Sequence, residues 1–278
     1  MDLVLISGLS GSGKSVALHV LEDSGYYCVD NLPASLLQLL VHDLASEGYE
    51  KVGVAVDIRG GYSLLHLPNQ VAGLRDAGQP VRFLFLDAND ETLLKRFSET
   101  RRSHPLANTG RSLEESIREE RRRMENIADL GHRIDTSNLK ASALREWVRQ
   151  FVQSGEGSLT LMFESFGYKH GIPLDADLVF DVRCLPNPHY EAELKPLTGL
   201  DPPVIDFLEA QPEVDRMRED IRHFVANWLP AYIRDNRNYL TVAIGCTGGQ
   251  HRSVFIAEWL GRAFAEKANV LVRHRSLA

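Results

Sequence analysis

The segment L-V-L-I-S-G-L-S-G-S-G-K-S, residues 3–15, joins an apolar run to a glycine-rich loop. The run Leu3–Ile6 has the length and composition of a buried strand. The loop Gly8–Ser15 follows with the spacing G-x-x-x-x-G-K-S, and Val16–Leu21 continues as a helical segment. Because a loop of this pattern binds phosphate when it connects a strand to a helix, the segment predicts a P-loop α/β domain.

Each residue type in the loop has a chemical role. Gly8, Gly11 and Gly13 let backbone N–H groups turn toward a polyphosphate, since no Cβ stands in the way. The helix N-terminus adds a partial positive charge. Lys14 would contact the β- and γ-phosphates, and the Ser15 hydroxyl would bind Mg²⁺. The pattern therefore predicts ATP or GTP with Mg²⁺; the alternative is a strand–helix turn with an incidental lysine.

Strand-like and helix-like segments alternate through the first half of the chain, which predicts a parallel sheet with helices on both faces. The second half repeats the alternation and predicts a second α/β domain. The expected strands are 3–6, 26–29, 52–57, 81–87, 159–163, 178–182, 239–245 and 270–272. The expected helices are 16–21, 36–44, 91–100, 112–130, 139–152, 214–233 (interrupted or bent near Pro230) and 253–267.

Composition is that of a soluble globular protein, with 278 residues of which 44% are hydrophobic and 25% charged. The polar, glycine-bearing stretch Gln153–Ser158 is the expected linker. We therefore predict a nucleotide-binding domain over residues 1–153 and a second α/β domain over residues 159–278.

Charge and cysteine content restrict the class of protein. The net charge of −7 argues against a nucleic-acid coat protein, although a local basic patch remains compatible with it. Cys28, Cys184 and Cys246 have neither metal-ligand nor paired spacing, so reduced thiols are expected. A strand and phosphate loop occupy the place of a signal peptide, and no run is long enough to cross a membrane. We expect a cytoplasmic protein with no membrane partner.

An aspartate at a strand end should complete the Mg²⁺ site or orient the attacking water. Asp57, in D-I-R-G, and Asp87 both follow predicted strands, where the active groups of parallel sheets lie. We assign the role to Asp57, together with Lys14 and Ser15; the alternative for either aspartate is a cap on the next segment. The N-K-x-D pattern that reads guanine is absent, so ATP and GTP both stay open.

A small-molecule kinase is the first alternative function. Arg96, Arg101 and Arg102 precede the loop Pro105–Gly110 and could form a mobile lid that stabilises phosphate charge, or a solvated basic helix face. Asp30, in D-N-L-P, could bind the phosphoryl acceptor or begin an Asx turn. The run E-E-R-R-R at residues 119–123 is interpreted as a solvated helix with i,i+4 ion pairs.

A second strand–loop–helix lies at Cys246–Ser253, C-T-G-G-Q-H-R-S. Gly248 and Gly249 can form a nest of N–H groups at a helix N-terminus, and Arg252 can hold oxygens bidentately. We predict a non-catalytic site for an anion or sugar phosphate. The spacing C-x₅-R-S also matches cysteine phosphatases, in which the cysteine attacks phosphorus, and a structural turn is the third interpretation.

Other polar side chains would extend this pocket if the fold brings them together. The predicted anion-site residues are Lys169, His170, Arg183, Asn187, His189, Thr247, Gly248, Gly249, His251 and Arg252. Residues 252–278 also hold five arginines and lysines against two glutamates. This basic edge could bind RNA phosphates through Lys267, Arg273 and Arg275, or be a solvated helix and tail.

Taken together, these motifs resemble the RapZ family of RNase adapter proteins, bacterial P-loop nucleotide-binding proteins. The resemblance covers essentially the whole chain. It rests on seven ordered motifs: G-L-S-G-S-G-K-S, V-D-N-L-P, D-I-R-G, E-T-R-R-S-H-P-L, S-F-G-Y-K-H-G-I-P, R-C-L-P-N-P-H-Y and G-C-T-G-G-Q-H-R-S.

The resemblance implies a homo-oligomer that binds and slowly hydrolyses ATP and GTP. Its C-terminal domain would bind glucosamine-6-phosphate, with His189, Thr247, Gly248 and Arg252 at the matching positions. That domain would also bind a small regulatory RNA and present it to an endoribonuclease. The implied nucleotide-binding residues are Gly8, Leu9, Ser10, Gly11, Ser12, Gly13, Lys14 and Ser15 for ATP, and Asp57, Ile58, Arg59 and Gly60 for GTP.

Overall fold

The computed structural model describes residues 1–107, 110–153, 159–235 and 239–277. The chain divides into two compact units, Met1–Glu156 and Gly157–Ala278, and each is built on its own parallel sheet. The predicted linker lies outside the described residues apart from Gln153.

The first unit has a sheet of order β2-β3-β1-β4-β5 in which every pairing is parallel. Its strands are β1 (Asp2–Gly8), β2 (Tyr27–Val29), β3 (Lys51–Ala55), β4 (Val81–Asp87) and β5 (His132–Asp135). Its α-helices are α1 (Lys14–Asp23), α2 (Leu37–Ser46), α3 (Leu67–Asp76), α4 (Asp90–Thr100), α5 (Leu113–Ala128) and α6 (Ala141–Gln153).

Helices cover both faces of this sheet, so the predicted fold class is confirmed. Alternate residues of β3 point to opposite faces. Val52 and Val54 pack in one core with helices α2, α3 and α5, whereas Gly53 lies against Leu21 of α1, with α6 beside it. Strand β1 lies between β3 and β4, and the loop after such a central strand opens into the crevice where α/β proteins bind ligands.

The second unit has the parallel order β7-β8-β6-β9. Its strands are β6 (Thr160–Gly167), β7 (Leu178–Asp181), β8 (Tyr239–Cys246) and β9 (Asn269–His274), and its α-helices are α7 (Pro202–Glu209), α8 (Pro212–Arg234) and α9 (Arg252–Phe264). Every residue of β6 is buried, as expected for a parallel strand covered on both faces. The prediction of a second α/β domain is also confirmed.

Several elements differ from the sequence predictions for local reasons. Strand β5 was missed because H-R-I-D has one apolar residue, Ile134. Helix α7 was missed because it begins at Pro202-Pro203, although proline is tolerated in the first turn of a helix. Helix α3 was also missed. Helix α8 continues through Pro230 to Arg234, so of the two predicted outcomes, an interruption or a bend, the interruption was wrong.

Within the described ranges, no helix combines the length and apolar character that crossing a membrane requires.

Candidate phosphate-binding sites

Glycines shape the loop between β1 and α1. Gly8 has φ +146° and Gly13, the N-cap of α1, has φ +110°, both in the region that disfavours other residues. A Cβ on Gly8 would collide with the backbone of Leu86 on β4. The loop therefore needs glycine both for its conformation and for its close approach to the neighbouring strand.

The loop leaves donors without partners. Among the described residues, the backbone N–H groups of Gly11, Gly13, Lys14 and Ser15 donate to no backbone or side-chain acceptor. The hydroxyl of Ser12 is buried and also lacks a partner in this part of the chain. Since unpaired donors at a helix N-terminus attract anions, this arrangement suits a phosphate group.

Lys14 lies across the mouth of its own loop. Its Nζ donates to the carbonyl oxygens of Gly8 at 2.7 Å and Leu9 at 3.0 Å. Burial lowers the pKa of the Lys14 ammonium, while the carboxylates of Glu120 and Asp57 oppose that shift. A phosphate would supply the negative charge that the buried ammonium lacks.

Asp57 lies one strand away from the loop. The β1–β3 register pairs Ile6 with Ala55, and its continuation brings Asp57 opposite Gly8. The carboxylate is buried and accepts from the N–H of Arg59 at 2.9 Å. Asp57 thus both begins the 3₁₀ segment Ile58–His66 and belongs to the charge cluster around Lys14.

The motif D-N-L-P meets D-I-R-G beside the loop. Arg59 donates to Asn31 Oδ1 at 2.9 Å. The charge of Asp30 acts on Lys14 and opposes the lowering of its pKa. Ile58 is buried. The two motifs therefore share one edge of the first sheet.

Asp87, the other aspartate at a strand end, is committed to the fold. Its carboxylate is buried, accepts from Arg121 at 2.9 Å and pairs with Arg133. With two arginines bound, Asp87 is not an available ligand for Mg²⁺.

Arg96 braces the loop and is not a free lid residue. It donates to the carbonyl oxygens of Gly11 at 3.0 Å and Thr136 at 2.7 Å, and the Thr136 hydroxyl donates to the Ser12 carbonyl at 2.9 Å. Arg101 and Arg102 are exposed at the end of α4. Of the three predicted lid arginines, Arg101 and Arg102 are therefore the two whose side chains are exposed.

Glu120 is the residue that the sequence interpretation missed. The E-E-R-R-R run was assigned to solvent, but Glu120 is fully buried and accepts from the Ser10 N–H at 3.0 Å and the Ser10 hydroxyl at 2.8 Å. His104 donates to it at 2.9 Å, since the other ring nitrogen accepts from the Leu106 N–H. The helical spacing could have predicted this burial, because Glu120 lies between the apolar residues Ile117 and Met124 on the buried face of α5.

The oxygens near the loop suit Mg²⁺. The Ser15 hydroxyl is exposed and, among the described residues, makes no hydrogen bond. The charge of the Asp57 carboxylate acts on Lys14, and this carboxylate would add a second hard oxygen ligand. Mg²⁺ is commonly held by one or two such groups with phosphate and water completing the shell, so Ser15 and Asp57 would hold the ion of a metal–nucleotide complex.

The predicted residues of the second site meet at the carboxyl edge of the second sheet. The Lys169 N–H, just after β6, donates to the Thr247 carbonyl at 3.3 Å. The rings of His189 and His251 are 6.4 Å apart. Arg183 stacks on the Tyr168 ring at 3.9 Å and pairs with Asp181. The remaining members sit in the same loops: His170 follows Lys169, and Asn187 accepts from the His189 N–H.

The Arg252 guanidinium is hydrogen-bonded through Nη1, whereas its Nε has no partner among the described residues. Its Nη1 donates to the carbonyl oxygens of Arg183 and Leu185, each at 2.9 Å. Its Nε is buried and has no partner within the described ranges, and the residue is 4% exposed. The Nε2 atom of His251 is likewise buried and unpartnered there. An unpaired buried N–H is costly, so the Nε of Arg252 points to an anionic ligand.

The predicted RNA residues differ in their surroundings. Lys267 is exposed, as predicted for a surface contact. Arg273 is 2% exposed and lies beside the carboxylates of Glu164 and Asp175. Arg275 also pairs with Glu164, at 3.5 Å. The prediction that Arg273 meets RNA does not fit its position, because the guanidinium is inside the fold.

A parallel α/β domain carrying a G-x-x-x-x-G-K-S loop between its central strand and first helix defines the class of P-loop proteins. The model of the RapZ-like N-terminal domain matches residues 1–156, and that of the RapZ C-terminal domain matches residues 159–278. The chain belongs to the RapZ family.

Relatives of similar length support this assignment. A nucleotide-binding protein of Dechloromonas aromatica is 66% identical over 279 residues, covering 100% of this chain and 99% of the relative. A nucleotide-binding protein of Aromatoleum aromaticum is 65% identical over 280 residues, covering 100% and 96%. Among solved structures, a sugar kinase of Janibacter sp. HTCC2649 is 17% identical with a TM-score of 0.39, covering 55% of this chain and 94% of the kinase.

Proposed function

We propose that this protein is a regulator with two phosphate-binding sites. Residues 1–153 bind ATP or GTP with Mg²⁺ and hydrolyse it slowly. Residues 159–278 bind a phosphorylated amino sugar such as glucosamine-6-phosphate, and RNA. The observation that carries the proposal is the set of N–H groups in the loop Gly8–Ser15 that have no acceptor among the described residues, together with the buried Arg252 Nε, which also lacks a partner there.

Nucleotide binding follows from the first loop. The amides of Gly11, Gly13, Lys14 and Ser15 have no competing acceptor among the described residues, and Lys14 would exchange two carbonyls for phosphate oxygens. The relatives bear the name nucleotide-binding protein, which supports the same assignment. Asp57–Gly60 lies beside Lys14, so it would respond to the γ-phosphate.

Hydrolysis should be slow and independent of any acceptor. Among the described residues, the Asp57 carboxylate contacts Arg59 and is bonded to no imidazole or second carboxylate, so water is positioned weakly. We expect phosphate release from ATP and GTP at the same rate with and without added sugars or sugar alcohols. Strict dependence of release on one added metabolite would contradict the regulatory proposal.

Glu120→Gln should weaken ATP binding by about 10-fold, because one charge-assisted contact to the loop becomes neutral. The carboxylate is also the strongest opposing influence on the lowered pKa of Lys14. In Glu120→Gln the pKa of Lys14 falls further. As the pH rises, the ammonium therefore loses its proton at a lower pH than in the unmodified protein, and ATP affinity declines there. Glu114→Gln, an exposed site on α5, is the matched control. Equal affinity and equal pH profiles in both variants would contradict a role for Glu120.

The second loop is proposed to bind the phosphate of a sugar. The Nε of Arg252 supplies a donor for the phosphate, and His189, whose ring lies 6.4 Å from that of His251, is proposed to contact the sugar. Family membership supports glucosamine-6-phosphate as the ligand to test first.

RNA binding is proposed for the exposed cations near the end of α9. Lys267 and Arg262 are both exposed, whereas Arg273 is internal. Through this surface the protein would present a small regulatory RNA to an endoribonuclease, acting as a homo-oligomer. Sequencing of RNA crosslinked to the protein in cells tests the assignment; recovery no greater than from an uncrosslinked sample would contradict it.

Substitutions of the buried Arg273 and of the exposed Arg262 and Lys267 should have opposite effects on stability and RNA binding. Arg273→Ala should lower the free energy of unfolding by about 3 kcal/mol or more, because it leaves Glu164 and Asp175 buried without that partner. Arg262→Ala with Lys267→Ala should change stability by less than about 0.5 kcal/mol while weakening RNA binding in a salt-dependent way. Urea unfolding and filter binding separate the effects, and the reverse pattern would exclude this surface.

A small-molecule kinase is the second candidate, and one observation favours it. Asn31 and Arg59 are bonded next to Lys14, with Asp30 in the same field, so a polar acceptor could be held near the γ-phosphate. The exposed Arg101 and Arg102 could then close over it. ATP consumption in stoichiometric amounts with one added metabolite would identify this activity.

A further inference from the structure

The sulfur of Cys246 occupies an unusual position for a buried thiol. Cys246 ends β8, and its Sγ accepts from the Gly249 N–H at 3.2 Å and lies 3.1 Å from the Ser253 hydroxyl. Burial raises the pKa of the thiol, but hydrogen bonds from Ser253 and Gly249 and the charge of Arg252 outweigh it, so the pKa is lowered. These contacts favour the thiolate, which is the nucleophilic form of cysteine.

The Arg252 guanidinium offers hydrogen-bond donors to a phosphate bound in this loop. Arg252 keeps Nη1 on the carbonyls of Arg183 and Leu185, which leaves Nε without a partner among the described residues and Nη2 only 3.4 Å from the Thr247 hydroxyl. The charge of Arg252 also acts on Cys246. Open space lies beside Gly248, so the loop can be approached from that side.

We propose that Cys246 is a phosphoryl acceptor: its sulfur attacks the phosphorus of a phosphomonoester held by Arg252 and the loop, and a phosphocysteine forms. This inference rests on the anion site proposed above and adds a reaction to it. The roles divide along the loop, with Cys246 as nucleophile, Arg252 holding the phosphoryl oxygens, and Ser253 stabilising the thiolate.

The reaction balances without a metal or redox partner. An S–P bond forms as the ester P–O bond breaks, and the departing alkoxide takes a proton. That proton comes from the solvent. Water then attacks phosphorus, the S–P bond breaks, and inorganic phosphate and the thiolate are released. An aryl ester such as p-nitrophenyl phosphate needs no proton donor, because its phenolate leaves readily.

The full-length chain offers a matched control for the test. Cys184 is exposed, so Cys184→Ser removes a thiol without touching the loop. Cys246→Ser is nearly isosteric and keeps the acceptor for Gly249. Each protein is incubated with p-nitrophenyl phosphate, phenolate release is followed, and acid-quenched protein is weighed by mass spectrometry for a covalent phosphoryl group.

We expect the unmodified chain and Cys184→Ser to release phenolate and to carry a phosphoryl group on the peptide containing Cys246. Cys246→Ser should be slower by about 100-fold or more. Full activity in Cys246→Ser, or no phosphoryl adduct in the unmodified chain, would overturn the inference.

Binding measured on the same preparations separates this inference from the proposed site. Titration with inorganic phosphate should give equal affinity in the unmodified chain and Cys184→Ser. Phosphate binding without transfer would refute the phosphocysteine and leave the anion site standing. Absence of both would refute the two together.

Discussion

Replacing Lys14 by methionine is expected to weaken ATP binding by about 100-fold, because two charge-assisted contacts of about 1.5 kcal/mol each are lost. Methionine keeps most of the length of the side chain, so the loop should retain its shape. The unoccupied Lys14 already bonds two loop carbonyls, and burial lowers its pKa. Phosphate is therefore the partner that the ammonium gains on binding. Isothermal titration calorimetry with Mg·ATP measures the loss.

The control is Lys51→Met. Lys51 begins β3, at the amino end of a parallel strand, and is therefore on the edge of the sheet opposite to the loop. Lys51 is exposed, and its Nζ lies 5.6 Å from the centroid of the Tyr26 ring. Its affinity for ATP should match that of the unmodified protein. Equal affinities in the two variants, with both proteins folded by circular dichroism, would show that the loop does not hold the nucleotide.

Arg252→Lys is expected to weaken glucosamine-6-phosphate binding by about 100-fold, since lysine keeps the charge but cannot offer two N–H groups in one plane. The Arg252 Nη1 binds two backbone carbonyls, while its Nε is unpaired among the described residues. A single lysine ammonium cannot bind the carbonyls and the phosphate in the same way. Calorimetry with the sugar phosphate gives the affinity, and thermal unfolding shows whether the anchoring to Arg183 and Leu185 is lost.

Arg262→Lys provides the comparison, because Arg262 lies on the exposed side of the same helix near its C-terminal end. It should bind the sugar phosphate as tightly as the unmodified chain. A similar loss in both variants would point to a general effect of helix α9 and against a specific contact.

The first loop could be predicted because its information is local. Glycine spacing, the lysine and serine, and the flanking periodicity all lie within the stretch 3–21. The parallel sheets followed from the same periodicity, since long apolar runs such as Val81–Asp87 belong to buried strands.

What the sequence could not supply were partners distant in the chain. Glu120 bonds Ser10, 110 positions away, and Thr136 bonds Ser12 across 124 positions. Arg273 looked like a surface cation until its burial beside Glu164 was visible. A charged residue near the end of a sequence is usually solvated, and only tertiary contacts reveal the exception.

The central claim is that two loops of one chain each receive a phosphate. Hydrogen–deuterium exchange tests it directly, because amides without acceptors should gain them on binding. With Mg·ATP, slowed exchange is expected in peptides spanning Gly8–Ser15. With glucosamine-6-phosphate, slowed exchange is expected in peptides spanning Cys246–Ser253. Unchanged exchange in both loops at saturating ligand would contradict the account.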